Sequence, residues 1–150
     1  MSEPNRQYFE DIAVGDEYLS PGRTVTETDI VQFAGLSGDY NVLHTDAEYM
    51  KGSIFGERIA HGLLGLSISS GLGSRAVPRP FATIAFLGLR WRFKGPIKIG
   101  DTIKVRLKVT AKKETSKPDR GIVTVQRAVL NQRGETVQEG DTELMIERRK

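Results

Sequence analysis

Ala60-His61-Gly62-Leu63-Leu64-Gly65-Leu66-Ser67-Ile68-Ser69-Ser70-Gly71-Leu72 is the stretch on which the reading of the fold turns. Leu63, Leu64, Ser67, Ile68 and Gly71 recur at helical spacing. The other face, with Leu66, Ser69 and Ser70, is small or apolar too, and His61 is the only titratable side chain in the segment. A helix without a charged face is expected to be buried all round. The rest of a 150-residue chain therefore has to wrap it, with a second subunit as the other source of cover for one face.

The wrapping is legible downstream. Ile103, Val105, Leu107 and Val109 alternate with Lys104, Arg106 and Lys108, the period of a strand with one wet face. Ile84 to Phe93, Ile122 to Leu130 and Glu135 to Ile146 also read as strands. Gly95-Pro96, Gly100-Asp101, Lys117-Pro118 and Asn131 to Gly134 supply the turns. Upstream, Thr24 to Thr26 is extended. Thr28 is expected to cap a helix with Asp29 in its first turn and Ile30, Phe33 and Ala34 on one face, closed by Gly35 and Gly38. Asp46 or Thr45 caps a second short helix through Tyr49 and Lys51, broken by Gly52 and Gly56. The expectation is an α+β fold: one domain spanning residues 1–150, with an antiparallel sheet curled around a central helix.

Composition narrows the chemistry. There is no cysteine, which removes disulfides, thiolate metal sites and a cysteine nucleophile. The net charge of +3 is too diffuse for a nucleic-acid footprint, but it suits a polyanionic partner such as a phosphorylated carrier like coenzyme A. Lys104, Arg106 and Lys108 alternate as the solvated face of a strand does. No apolar run approaches the ~20 residues that span a bilayer. Met1 to Asp11 is polar, without the apolar core of a signal peptide. A cytoplasmic location follows as the expectation, with no membrane and no nucleic-acid partner.

Two histidines carry the remaining interest. His44 follows Asp39 by five residues in Gly38-Asp39-Tyr40-Asn41-Val42-Leu43-His44. A carboxylate and an imidazole on one tight loop can address a single water, one taking a proton while the other handles a second. Asn41 between them can orient either. The plainer reading is a turn in which Asp39 and Asn41 make side-chain-to-backbone bonds and His44 is incidental. His61 precedes Gly62 at the start of the charge-free helix, where a free N–H at the positive dipole end can polarise a carbonyl. The alternative is that Gly62 and Gly65 only permit close helix–sheet packing. His61 itself reads as structural. Ser67, Ser69 and Ser70 are expected to bond carbonyls one turn back, with a site hydrogen bond as the sharper option. No Gly-x-Ser-x-Gly elbow and no phosphate loop occurs. His44 and His61 lack metal-ligand spacing with nearby carboxylates, so no metal is expected.

Phe33-Ala34-Gly35-Leu36-Ser37-Gly38-Asp39-Tyr40-Asn41-Val42-Leu43-His44 resembles the signature of the MaoC-like, R-specific enoyl-CoA hydratase family. Phe55-Gly56-Glu57-Arg58-Ile59-Ala60-His61-Gly62-Leu63-Leu64 resembles its second block. Tyr8-Phe9-Glu10-Asp11, Val14-Gly15-Asp16 and Ile99-Gly100-Asp101 extend the likeness from Tyr8 to the C-terminus. The resemblance implies a hot-dog fold, a homodimer or higher homo-oligomer, and hydration of trans-2-enoyl-CoA to (R)-3-hydroxyacyl-CoA in fatty acid metabolism without a cofactor. It implies Asp39 and His44 as the catalytic pair, Asn41 in their hydrogen-bond network, the Gly62 N–H on the thioester oxygen and Ser70 assisting. One departure is Val42, where the family usually has proline. Dehydration of carrier-protein or branched dicarboxylic acyl-CoA thioesters stays open, as do a thioesterase and a non-catalytic acyl-CoA or nucleic-acid binding module. Phe81, Leu87 and Trp91 are candidates for setting pocket size.

Overall fold

The computed structural model describes residues 5–149, so part of the polar N-terminal segment lies outside the described residues. In chain order the elements are β1 (Glu17–Leu19), β2 (Arg23–Thr24), α1 (Glu27–Ser37), α2 (Val42–Thr45), α3 (Ala47–Lys51), α4 (Gly62–Ala76), β3 (Thr83–Phe93), β4 (Thr102–Glu114), β5 (Arg120–Leu130) and β6 (Thr136–Glu147). The sheet order is β1-β4-β5-β6-β3, with β2 also on β4, and every paired strand is antiparallel. This sheet curls around α4 in the hot-dog arrangement.

β4 shows how the sequence specifies the wrap. Ile103, Val105, Leu107 and Val109 are buried, and Lys104, Arg106 and Lys108 point outward. Lys108 pairs with Glu17 at 3.1 Å. From β5, Val123, Val125 and Val129 enter the same core, joined by Val137, Leu144 and Ile146 of β6. Truncating one such side chain to alanine typically costs about 2–5 kcal/mol.

The central helix forms against its own composition. Gly62, Gly65, Gly71 and Gly73 each disfavour helix by roughly 1 kcal/mol relative to alanine, so packing rather than propensity holds α4. Leu64, Gly65, Ile68, Ser69, Leu72 and Gly73 face the sheet. The expectation of burial on every side does not hold within one chain. Leu63, Ser67, Ser70 and Ser74 are exposed, because a single sheet covers a single face. Beside this open face runs β3, which among the described residues pairs only with β6 and which exposes Ile84, Phe86, Leu87, Leu89 and Phe93.

The helical segments differ from the sequence reading in three places. The cap of α1 is Thr26, not Thr28. Its hydroxyl accepts from the Asp29 N–H while the Asp29 carboxylate accepts from the Thr26 N–H, a reciprocal box that Thr28, two residues later and already inside the helix, cannot make. Gly35 lies inside α1, and Gly38 ends it in the left-handed region (φ 75°). The segment read as a loop after Gly38 contains α2, capped by Asn41, and Asp46 caps α3.

Two substitutions test this account by thermal unfolding. A methyl group at Gly65 would run into the Gln138 amide and the Ile97 side chain. Gly65→Ala is therefore expected to lower stability by about 1–3 kcal/mol, reversing the usual helix preference for alanine. An unchanged or raised Tm contradicts it. Val42 is the first residue of α2, where no intrahelical bond needs its N–H, and Asn41 before it has φ −54° and ψ 140°, which proline tolerates in its predecessor. Val42→Pro is expected to stabilise by about 0.4–1 kcal/mol, and a lower Tm would show that the loop is strained there.

Candidate active site

The loop leaving α1 is built from side chains that cap the next backbone. Ser37 Oγ accepts from the Asp39 N–H at 3.1 Å, Asp39 Oδ1 from the Asn41 N–H at 3.2 Å, and Asn41 Oδ1 from the Leu43 N–H at 3.0 Å. Thr45 Oγ1 closes the loop by donating to the Tyr40 and Asn41 carbonyls. The turn bonds of the plainer reading are thus present. They also position chemistry, because this ladder starts α2 and α2 turns the His44 ring inward.

His44 is 8% exposed. Its Nδ1 lies 2.7 Å from the Ile59 carbonyl. A carbonyl only accepts, so Nδ1 carries the proton and the neutral ring keeps a lone pair on Nε2. His61, 2% exposed, precedes α4 and donates from Nε2 to the Asp39 carbonyl at 2.9 Å. The two imidazoles stack, with centroids 3.8 Å apart and planes 25° off parallel, and Phe33 lies 4.9 Å from the His61 ring. His61 thus ties Asp39 to His44 from behind. Its Nδ1 is the one buried side-chain nitrogen or oxygen among the described residues with no hydrogen-bond partner.

The result is a cluster. Ligand-type atoms of Asp39, His44 and His61 all lie within 4.8 Å of one another, with the Asp39 side chain exposed and both rings buried. Sequence spacing gave no sign that His61 joins the pair. The cluster has three metal-type donors, but their geometry does not suit an ion. A metal about 2.0–2.1 Å from an imidazole nitrogen lies in that ring's plane. Two nearly parallel stacked planes share no such point, and His44 Nδ1 and His61 Nε2 are already engaged with carbonyls.

Gly62 opens α4, so its N–H has no acceptor within the helix. Its carbonyl accepts from Gln138 Nε2 at 3.1 Å, and Gln138 Oε1 accepts from the Trp91 indole at 3.0 Å. A Cβ at position 62 would lie 2.8 Å from the Phe93 ring. Close packing therefore accounts for glycine at both 62 and 65, and it leaves the N–H at 62 without a side chain beside it.

The exposed Ser67 and the buried Ser69 donate to the Leu63 and Leu66 carbonyls, as helix hydroxyls commonly do. Ser70 makes no hydrogen bond among the described residues and stands eight residues along α4 from Gly62, about 12 Å at the helical rise. It lines a cavity of about 230 Å³ together with Phe81, while Leu87 is exposed on β3. The sequence reading missed the Ile59 carbonyl that fixes His44 and the Gln138 side chain that holds the helix start. Neither leaves a local signal. Among the described residues no helix is long and apolar enough to cross a membrane.

Comparison with known proteins agrees with this architecture. Residues 10–130 match the family model described as a MaoC like domain. The chain is 49% identical over 118 residues to the protein MaoC of Klebsiella aerogenes, covering 78% of this chain but only 34% of that protein's length. It is 38% identical over 140 residues to an (R)-specific enoyl-CoA hydratase of Rhodospirillum rubrum, covering 93% of this chain and 91% of the other. A structure of a monoamine oxidase regulatory protein from Archaeoglobus superposes with a TM-score of 0.91 at 39% identity, each chain covered completely. On the match across most of its length, the chain belongs to the MaoC-like dehydratase family.

Proposed function

We propose that the chain is a hydro-lyase that interconverts trans-2-enoyl-CoA and (R)-3-hydroxyacyl-CoA, using a water held between the Asp39 carboxylate and His44 Nε2. The observation that carries this reading is the convergence of an exposed carboxylate and a buried imidazole near the start of α4. The hydratase similar to it in Rhodospirillum rubrum supports the reaction class.

The thioester oxygen accepts from the Gly62 N–H, which draws electron density from C3. The water oxygen bonds to C3 as the C2–C3 π bond breaks. The negative charge that develops on the thioester oxygen is stabilised by the helix N-terminus. One proton leaves the water to the pair, and the pair delivers one proton to C2, so a complete water is added and both groups return to their starting state. His44 Nε2 is the side of the imidazole free to exchange that proton, because Nδ1 is held by Ile59. Asn41 keeps the loop in shape, and Ser70 stands in the lining of the cavity further along α4. The reaction consumes only water and calls for no redox group or metal.

The same reading includes a cytoplasmic homodimer. Among the described residues β3 has one strand edge without a partner strand, and it carries a run of exposed apolar side chains beside the open face of α4. Exposed edges and large apolar patches of this kind ordinarily need cover. A second copy supplies it symmetrically.

Asp39→Asn keeps the side-chain volume and its capping oxygen but removes the charge. It is expected to lower turnover of an enoyl-CoA, followed by loss of enoyl-thioester absorbance, by about 10²–10⁴-fold, with an unchanged circular dichroism spectrum. His44→Gln should do the same. Near-native rates in both variants would remove the pair from the mechanism.

A further inference from the structure

The core face of β5 carries Val123, Val125 and Val129, and the same alternation turns Arg127 inward between them. Its guanidinium lies over Gly73 of α4, where a Cβ would stand 2.5 Å from Nη1. Nε donates to Thr142 Oγ1 at 3.2 Å. Among the described residues the two terminal nitrogens make no hydrogen bond, and no carboxylate pairs with the group. Burial holds the Arg127 pKa below the ordinary arginine value. A cation taken out of water without a counter-ion is costly, and this one is not sealed in protein. It borders the cavity of about 230 Å³, whose walls include Phe81, Phe86, Leu107 and Leu144 and whose polar rim includes Ser70.

The cavity has a definite place relative to the reacting end. Gly73 stands eleven residues along α4 from Gly62, about 16 Å at the helical rise. An acyl chain whose thioester oxygen sits on the Gly62 N–H and whose length follows α4 past Ser70 delivers its far end to Arg127. A planar guanidinium with free parallel N–H groups matches a carboxylate in bidentate fashion. A cavity with apolar walls and such a group in its lining suits the end of a chain that is hydrocarbon in the middle and anionic at the tip.

We propose that Arg127 ends the acyl subsite and that the preferred substrate is a trans-2-enoyl thioester whose acyl chain terminates in a carboxylate. This rests on the hydration reading above and adds the substrate class to it.

The test is kcat/KM for two series of trans-2-enoyl-CoA thioesters of matched chain length, one ending in methyl and one in carboxylate, with wild type, Arg127→Met and Arg127→Lys. Wild type is expected to favour a carboxylate-ended member by roughly ten- to a hundred-fold. Arg127→Met should erase that preference by slowing the carboxylate series while leaving the methyl series equal or faster. Arg127→Lys should fall between, keeping the charge but losing the paired geometry. Replacing a buried charge by an apolar side chain is often tolerated, and Tm reports it. If Arg127→Met does not fold, the wild-type ratio decides alone. Wild-type preference for the methyl series, or an equal loss on both series in Arg127→Met, overturns the proposal and leaves hydration standing. No turnover of either series removes hydration and this inference together.

Discussion

Gln138 donates its amide to the Gly62 carbonyl and accepts from the Trp91 indole, so one buried side chain fixes where α4 begins relative to the sheet. A buried amide left unpaired costs about 1–3 kcal/mol, which makes both bonds obligatory once the residue is inside. Gly65 supplies the space, since any Cβ there would meet the amide. The rest of the site is referred to this point. His61 is the residue before the helix, its ring reaches back to the Asp39 carbonyl, and His44 stacks upon it. Displacing the first turn of α4 would move the Gly62 N–H, the imidazole stack and the Asp39 loop together.

The site divides rigidity from access. His44 and His61 are buried and held by backbone carbonyls, while the Asp39 side chain is open to solvent. In the proposed hydration, proton transfer benefits from an imidazole whose orientation is already set and from a carboxylate that water and substrate can reach. The cost of the arrangement is visible in His61 Nδ1, a buried acceptor without a donor. Native proteins leave few such atoms, and where they occur local satisfaction has given way to another demand. Here that demand is the ring's position: Nε2 must face Asp39, and the stacking on His44 dictates where the other nitrogen ends.

Much of the architecture was legible because it is periodic. The alternation through Ile103 to Val109 and the charge-free run after His61 each have one structural solution, and together they imply a sheet around a helix. The Asp39-to-His44 spacing was legible because both residues share a short loop. Contacts between distant segments were not. His61 meets Asp39 22 residues away, and Gln138 meets Gly62 across 76, with no local pattern to announce either. Arg127 was a signal of another kind. Val123, Val125 and Val129 share its parity along the strand and place it on the core face, but the adjacent Gln126 and Arg127 are both polar and blur which of them is turned in. The division of α4 between the sheet and a second subunit was left open for a physical reason as well: a sequence without charges records that a surface is covered, not by which chain.

Asp39 and His44 stand on one short loop, so in the proposed hydration both reach the same face of the substrate. The most direct measurement is the stereochemistry of hydration in D2O, with the product's C2 and C3 configurations determined together. The account predicts a single (R)-3-hydroxyacyl thioester carrying one deuterium at C2, added to the same face as the hydroxyl. A mixture of configurations at C3, or deuterium on the opposite face, would contradict it.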